Sequence, residues 1–460
     1  MKQGMRSSFS TGSGNRSWRV ASRTALALFA ASAGIACSLI NAFDDVKPQA
    51  FANLPETGGE DARVEAAAEA GDAGPAKGVI VVGGVIESDG GRTAVLTAIN
   101  PESGAELPMA RVKMLVAAVH YDGLRDLWYV FESNGATHFP LPTESVFLHV
   151  RKLDTYTGKW DEIQSIKIPT LVANSHIAVL RERIAYIAYR TTADGSVAKD
   201  LVVINTTSPT EPTVENSTPL AGDPIGVVGT RATTTAGGHV TLLFDGAAGA
   251  TPEGGVCNGA AMCLETQLVT VGGEGVPSLG VLRERGTYKG SPAFGSFGVS
   301  TGSPADYVGF FPDPAPTTGA PGTMRAYSPN TGLPTGSPIT FSFNDTFLRP
   351  IAFADCLAQA LLIGTNTETA VTTIPVASAG TGDRGDMGHS GQSIHFEPFT
   401  STVLAPFTQG EGYELTAFKL SGTSGAPKLA LRRSPEWSPP SALRPEIVST
   451  RTPIPFECAP

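Results

Sequence analysis

Charged side chains and helical patterns are scarce in this sequence. Only 17% of its 460 residues are charged, 52 residues are glycine, and the net charge is −10. No long stretch repeats apolar residues with the period of an amphipathic helix, which excludes a helical bundle. No cluster of basic residues stands out either, so nucleic acid is not an expected partner.

Motifs for catalysis and metal binding are also scarce. The seven histidines form no His-Glu-x-x-His pair, and neither an EF-hand nor a phosphate-binding loop occurs. Residues 298–302 match the Gly-x-Ser-x-Gly nucleophile motif, but no helix pattern follows Ser300, so we expect no catalytic serine there. The tripeptide Arg384-Gly385-Asp386 is expected in an exposed glycine-rich loop over residues 380–393. The sequence therefore predicts no catalytic residue, no metal site and no cofactor.

The first 36 residues differ in charge from the rest of the chain. They contain five basic residues and no acidic residue, and they end in an apolar run over residues 24–36. This is the pattern of an export signal. Its removal would leave 28 basic and 43 acidic residues, a net charge of −15. A surface with that charge repels anionic lipid headgroups.

A short motif ends this leader. Residues 33–37 read Ala-Gly-Ile-Ala-Cys, which resembles the bacterial lipobox except that Gly34 replaces the usual leucine. The resemblance implies a lipoprotein signal peptide over residues 1–36 and a lipid, such as palmitate, on Cys37, which becomes the mature N-terminus. Ser38 follows Cys37, as in lipoproteins that are sorted to the outer membrane of the cell envelope.

A transmembrane anchor is the alternative to a cleaved leader. Residues 24–43 would provide about 20 mostly apolar residues, enough to span a bilayer. Three polar side chains weaken this interpretation: Ser32, Ser38 and Asn41.

Five cysteines are an odd number for an exported protein. If Cys37 carries the lipid, four remain. Cys257 and Cys263 are close enough in sequence to close a small loop, which leaves Cys356 and Cys458 as a possible long-range disulfide. A zinc site is the alternative, but no histidine lies near these cysteines at the spacing of zinc ligands.

Two kinds of sequence follow the leader. Residues 44–77 are acidic and rich in alanine, so we expect residues 37–77 to form a disordered tether. From Gly78, short runs rich in valine, isoleucine and aromatics alternate with turn residues, as in antiparallel strands. Residues 112–169 predict one four-stranded sheet with strands at 113–121, 126–132, 145–154 and 160–168.

A turn sequence recurs along the chain. Asn100-Pro-Glu-Ser-Gly104, Asp154-Thr-Tyr-Thr-Gly158 and Ser328-Pro-Asn-Thr-Gly332 each follow a strand-like run. Looser copies begin near residues 205, 271, 375 and 420, so the seven turns are 45 to 66 residues apart. That spacing is close to the roughly 40–50 residues of a propeller blade. The sequence therefore predicts an all-β fold, a seven-bladed β-propeller of four-stranded antiparallel blades over residues 78–433.

Two segments resemble kelch repeats. Val79-Ile-Val-Val-Gly-Gly84 is similar to the kelch strand with its double glycine, and Asp154, Thr157 and Trp160 are placed as in the kelch turn. Leu153 stands where kelch repeats usually have tyrosine. The resemblance implies a kelch-like propeller architecture.

The first unit has only three clear strands, at residues 79–84, 93–100 and 106–112. A ring needs this unit to be complete, because an open sheet edge leaves backbone amides and carbonyls unpaired. We expect the proline-rich tail, residues 434–460, to supply the fourth strand through residues 446–452 and so to close the ring, with a Cys356–Cys458 disulfide to secure it.

The second unit is crowded with aromatics, namely Tyr121, Trp128, Tyr129, Phe131 and Trp160. They could line a ligand face, but packing between blades also needs large side chains at alternate strand positions and is the simpler interpretation.

The sequence favours a non-enzymatic binding or scaffold lipoprotein that recognises an unidentified protein or glycan. The alternative is a propeller enzyme of the hydrolase, lactonase or quinoprotein type, with its site in the central channel. Inward Asp, Glu or His on the innermost strands of three or more blades would favour the enzyme. Small and apolar residues there, such as those of segments 224–229 and 291–297, would favour binding.

Overall fold

A computed structural model describes most of the chain beyond residue 77. The described residues are 78–88, 91–232, 234–245, 263–287, 293–297, 306–312, 321–328, 330–342, 352–354, 357, 359–364, 370–375, 382–389, 391, 393–409, 412–423 and 425–452. By its internal contacts the chain divides into residues 1–62 and 63–460, and every described residue belongs to the second unit. In the described segments no helix is long and apolar enough to cross a membrane. The predicted signal peptide and the whole of the predicted tether lie outside them.

The described residues form seven four-stranded antiparallel sheets. In spatial order, sheet 1 contains β28 (Leu443–Thr450), β1 (Ile80–Ser88), β2 (Gly91–Ile99) and β3 (Val112–Lys113). Sheet 2 contains β4 (Val116–Asp122), β5 (Leu127–Ser133), β6 (Val146–Leu153) and β7 (Trp160–Ile168). Sheet 3 contains β8 (Ile177–Val179), β9 (Arg183–Thr191), β10 (Val197–Asn205) and β11 (Thr213–Pro219), and a short 3-10 helix, Asn174–His176, precedes it.

The remaining four sheets follow in chain order. Sheet 4 contains β12 (Pro224–Arg231), β13 (Gly238–Asp245), β14 (Cys263–Val271) and β15 (Pro277–Thr287). Sheet 5 contains β16 (Ala293–Phe297), β17 (Asp306–Pro312), β18 (Pro321–Tyr327) and β19 (Pro334–Ser342). Sheet 6 contains β20 (Ala352–Ala354), β21 (Gln359–Gly364), β22 (Ala370–Pro375) and β23 (Arg384–Asp386). Sheet 7 contains β24 (His395–Glu397), β25 (Thr402–Gln409), β26 (Gly412–Thr423) and β27 (Ala426–Leu431).

The first strands of the sheets lie next to one another. β4 contacts β8, β8 contacts β12, and the contacts continue through β16, β20 and β24 to β28, which in turn contacts β4. We call these seven the inner strands. Sheets that radiate from such inner strands form a β-propeller.

The inner strand of sheet 1 comes from the C-terminal tail. β28 pairs antiparallel with β1, from Ile80 opposite Thr450 to Ile86 opposite Leu443. The strand expected from residues 446–452 is therefore present and begins slightly earlier. The tail also contributes Trp437, which is buried between sheets 7 and 1 and donates its indole N–H to the Leu415 carbonyl at 3.0 Å.

The predicted bounds of two strands near the boundary between sheets 1 and 2 were wrong. Residues 113–121 were expected as one strand of the second unit, but Lys113 ends β3 of sheet 1 and β4 of sheet 2 begins at Val116. The chain passes between sheets in only two residues, Met114 and Leu115, without the glycine or proline that usually marks such a change. The third strand of the first unit, expected at 106–112, is the two-residue β3.

Strand alternation directs the aromatics of β5 to both neighbouring sheets. Trp128 packs with core residues of sheet 1 and meets Trp160 edge-to-face at 6.2 Å. Phe131, on the opposite face, meets Tyr186 of sheet 3 at 6.0 Å. Sheet 2 is therefore buried on both faces, with sheet 1 on one side and sheet 3 on the other, and the packing interpretation of these aromatics is confirmed.

The recurring turn has one geometry in sheets 1, 2 and 5, where it joins the third strand to the fourth. The amides of Gly104, Gly158 and Gly332 donate to the carbonyls of Asn100, Asp154 and Ser328 at 2.7–2.8 Å. All three glycines adopt a positive φ, between 64° and 79°. This left-handed conformation explains why glycine ends each copy.

The tripeptide Arg384-Gly385-Asp386 does not lie in an exposed loop, which corrects the prediction for residues 380–393. It forms β23 and pairs with β22. Gly385 is buried, and a Cβ at this position would lie 2.5 Å from the Phe418 ring of sheet 7.

Candidate functional site

Two inner strands end in the same way. β4 ends at Asp122, which pairs with Leu127, and β24 ends at Glu397, which pairs with Thr402. Each pair encloses a four-residue turn. The last residue of each turn has a positive φ, 54° at Asp126 and 50° at Ser401. The ends of these strands therefore occupy corresponding places in sheets 2 and 7.

An ion-pair network joins the ends of three neighbouring inner strands. Asp122 is buried and accepts hydrogen bonds from Arg125 Nε and from Arg231 Nη1, both at 2.8 Å. Arg231 ends β12, two sheets away, and its Nε donates to the Val179 carbonyl of β8 at 3.2 Å. Burial lowers the pKa of the Arg231 guanidinium, and the charge of Asp122 opposes that shift. The network fixes sheets 2, 3 and 4 relative to one another.

A second arginine fixes the C-terminal strand. Arg451 follows β28, and its guanidinium bonds to Asp126 Oδ1 at 3.0 Å and to the Tyr121 hydroxyl at 3.1 Å. It also lies 5.8 Å from the ring centre of Phe399 in sheet 7. Burial, followed by the hydrogen bond to Asp126, raises the pKa of Tyr121 to about 12. One side chain therefore links sheet 1 to both of its neighbours.

Glu397 is engaged by its own turn. Its carboxylate accepts hydrogen bonds from Phe399 N at 3.1 Å, Thr400 N at 2.9 Å and Thr400 Oγ1 at 2.6 Å. Burial raises the pKa of Glu397, and the bonds from Thr400 oppose that change. This carboxylate stabilises the turn that ends β24.

Glu446, in the middle of β28, is also held by protein groups. Its Oε1 lies 3.6 Å from His138 Nε2 and 3.6 Å from Arg444 Nε. His138 is buried, and its Nδ1 donates to the Val116 carbonyl of β4 at 2.7 Å. Burial alone would raise the pKa of Glu446, but the hydrogen bond with His138 and the charges of His138, Arg444 and Arg92 together lower it.

Two histidines lie on the same inner strands, each two residues before the acidic residue. His120 precedes Asp122 on β4, and His395 precedes Glu397 on β24. His120 Nε2 is 3.3 Å from the Asn174 carbonyl, which precedes β8. His395 Nε2 is 3.0 Å from Ser393 Oγ. Burial lowers the pKa of each histidine to about 4, and the charge of His120 adds to the shift at His395. Both imidazoles are therefore neutral at neutral pH.

This histidine pair is the group that sequence reasoning missed. A signal for it is present, since residues 120–122 read His-Tyr-Asp and residues 395–397 read His-Phe-Glu. Each tripeptide of histidine, aromatic and acid is followed by a turn and a strand. The repeat was hidden because the search for a period rested on the turns between the third and fourth strands.

Most of the predicted site residues lie outside the described residues: Cys37, Cys257, Cys356 and Cys458. Ser300, where no catalytic role is expected, lies outside them as well. Cys263 begins β14, and its ligand atom lies within 4.8 Å of those of Glu265 and Glu284. A metal would need Cys263 as a thiolate, whereas Cys263 is the residue expected to pair with Cys257. The disulfides and the lipidation of Cys37 stay predictions.

Three inner strands carry Asp, Glu or His, which is the number expected for a channel enzyme. Acidic groups or histidines occur on β4, β24 and β28, but the carboxylates of Asp122, Glu397 and Glu446 are bound to protein partners. The segment 224–229 lies on the inner strand β12, as expected for residues around the axis. Of 291–297, the described residues 293–297 form the inner strand β16.

Comparisons with known proteins give similarities of fold. No protein-family model matches the sequence, and no curated protein matches it significantly. A Bacteroides fragilis protein, provisionally assigned as a 6-phosphogluconolactonase, is 9% identical, with 82% of this chain and 98% of that one covered and a TM-score of 0.49. The WD40 domain of SCAP from fission yeast is 10% identical, with 73% and 74% covered and a TM-score of 0.40. A glucose dehydrogenase is 9% identical, with 65% and 94% covered and a TM-score of 0.37.

Proposed function

We propose that this chain is an exported, lipid-anchored binding protein whose seven sheets form the blades of one closed, kelch-like propeller. Three features support the closed ring: the mutual contacts of the inner strands, the pairing of β28 with β1, and the bonds of Arg451 to sheet 2. The lipobox-like sequence before Cys37 supports the anchor. Together they suit a protein that is held close to a membrane and presents a rigid surface to a protein or glycan partner.

The observation that supports the binding function is that the carboxylates on the inner strands are already bonded to protein groups. A carboxylate that acts as a general base or nucleophile must be able to reach substrate. Asp122 bonds to two arginines, and Glu397 bonds to three donors of its own turn. These groups stabilise the ring and leave neutral polar side chains for recognition.

A channel enzyme is the second candidate, and the shifted pKa values of His120 and His395 favour it, because perturbed histidines often mark active sites. Such an enzyme would lose turnover when either histidine is replaced. If the chain is a binding protein, the same replacements would weaken its affinity for the partner. Neither the wild type nor the variants would turn over lactone, phosphate-ester or sugar substrates.

The anchor is tested by labelling cells that express the chain with an alkyne analogue of palmitate. The wild type should be labelled, should begin at Cys37 by mass spectrometry and should fractionate with the outer membrane. Cys37→Ser should be unlabelled, while Ser38→Ala keeps Cys37 and should still be labelled. An unmodified Cys37 within an intact leader would overturn the anchor.

The binding function is tested by cross-linking the intact protein in its native membrane and identifying what copurifies with it. We expect one protein or glycan-bearing molecule to be enriched reproducibly over the same membrane without the chain. A purified chain that binds no such molecule, and instead turns over one of the substrates above, would refute the proposal in favour of the enzyme.

A further inference from the structure

We infer that His120, Asn174 and His395 form a site among the inner strands for a small, uncharged polyhydroxyl ligand such as a sugar residue. The inference rests on the proposed function, since it names the chemical class that the binding protein takes at its centre. His120 lies on β4, His395 on β24, and Asn174 just before β8. They therefore come from sheets 2, 7 and 3, with only β28 between the two histidine-bearing strands.

The strand registers show which residues of the different inner strands lie at the same level, that is, at the same distance from the strand ends. His120 and His395 each lie two residues before the last residue pair of their strands. The same count gives Gly229 in β12, Gly295 in β16 and Ala352 in β20. The count gives Ile177 in β8 and Val448 in β28, so the hydrogen-bonding side chains at this level are those of His120 and His395, and sheets 4 to 6 offer small residues. Asn174 precedes β8 and joins this group because its carbonyl lies close to His120 Nε2.

These side chains are enclosed but still reachable. His120, Asn174 and His395 each keep intermediate solvent exposure although protein surrounds them. Asn174 Oδ1 is buried and no donor reaches it with good hydrogen-bond geometry, although the Asn174 side chain is close enough to His120 to oppose the lowering of that pKa. The Asn174 carbonyl lies 3.3 Å from His120 Nε2. A buried acceptor without a well-placed donor is unfavourable. A ligand hydroxyl that donates to Asn174 Oδ1 would remove that cost.

The chemistry of the group selects a neutral ligand. A neutral imidazole offers one N–H donor and one acceptor nitrogen, and an amide oxygen is an acceptor, so the set complements hydroxyls that both donate and accept. The guanidinium groups of Arg125 and Arg231 are both bonded to Asp122, so they are already engaged and are less available to an anionic ligand. The only group with three close metal-ligand atoms in the described segments is the one around Cys263, away from both histidines.

The experiment measures binding of glucose, galactose and N-acetylglucosamine, each alone, to the full-length chain in detergent by saturation-transfer NMR. We expect at least one sugar to bind the wild type. His120→Ala combined with His395→Ala should weaken it about tenfold, or about 1.4 kcal/mol, because two hydrogen bonds to the sugar are lost. Asn174→Ala should weaken it as well. His239→Ala is the matched control, because His239 lies on β13 and bonds to Thr270 at 3.2 Å.

Conservative variants separate a binding role from a structural one. His120→Gln and His395→Gln keep a donor and an acceptor, so they should fold with the wild-type melting temperature and retain part of the affinity. Equal binding by the wild type and the double alanine variant would overturn the site. So would a wild type that binds no sugar, or one that binds Zn²⁺ through these histidines. If the double variant still captures the membrane partner, the site fails while the binding function stands.

Discussion

Replacing Asp122 with alanine is the most direct perturbation of the network at the ends of the inner strands. Asp122 is 1% exposed and receives bonds from Arg125 Nε, Arg231 Nη1 and the Leu124 amide, the last at 3.2 Å. Its loss leaves two guanidinium groups without their anion, and the side chain of Arg231 is only 17% exposed.

The expected cost follows from that burial. Removing one partner of a buried ion pair typically costs about 3–5 kcal/mol, because the remaining charge stays desolvated. We expect Asp122→Ala to lower the free energy of unfolding by that amount. Arg231→Met removes the buried cation as well, so the double variant should be less destabilised than the sum of the two single variants, with a coupling of about 0.5–3 kcal/mol.

The assay is urea unfolding followed by tryptophan fluorescence, with all variants compared at one protein concentration. Asp161→Ala is the control, because Asp161 lies in the same sheet and its ion pair with Lys159 is 59–62% exposed. An exposed pair contributes about 0–1 kcal/mol. If Asp122→Ala costs no more than Asp161→Ala, or if the double variant is additive, the network does not join the sheets as described.

Three further predictions concern packing and protonation. Gly229→Ala places a Cβ 2.5 Å from Ala178 Cβ and should lower the free energy of unfolding in urea by about 1–3 kcal/mol. Gly272→Ala is the control, because no atom lies within 4 Å of its Cβ, and it should change stability by less than about 0.5 kcal/mol. Equal effects would refute the close approach of sheets 3 and 4. Trp437→Ala should cost about 3–5 kcal/mol, because the indole is 5% exposed, and a loss below about 1 kcal/mol would mean that the tail does not pack there. The pKa of His120 and His395 is about 4 in the folded chain and about 6.5 when unfolded. The unfolded state therefore binds more protons between those values, and stability should fall as pH drops from about 6.5 to about 4. His120→Gln with His395→Gln should reduce that fall in a pH series of thermal unfolding, and an unchanged slope would contradict the burial of the pair.

Local sequence patterns correctly indicated strands and one type of turn, although the bounds of two strands were wrong. Valine- and aromatic-rich runs bounded by turn residues indicate strands, and glycine in a left-handed conformation explains Gly104, Gly158 and Gly332. The need to pair the edge of the first sheet was enough to predict that the tail supplies β28. These inferences work because each depends on neighbouring residues or on one rule about sheet edges.

Features that depend on the ring itself could not be predicted in this way. Asp122 and Arg231 are distant in sequence and meet only because β4, β8 and β12 are consecutive inner strands. Arg384-Gly385-Asp386 has the composition of a loop, but pairing with β22 and the Phe418 ring favour a strand there. The sheet boundary after Lys113 lacks any turn residue, so only the three-dimensional pairing shows it.

Amide hydrogen exchange of the C-terminal strand tests the central claim most directly. If β28 is an inner strand that pairs with β1, peptides covering residues 443–450 and 80–88 should exchange slowly and lose protection together as urea is added. Exchange of residues 443–450 at the rate of an unfolded peptide, with 80–88 still protected, would contradict a ring closed by the tail.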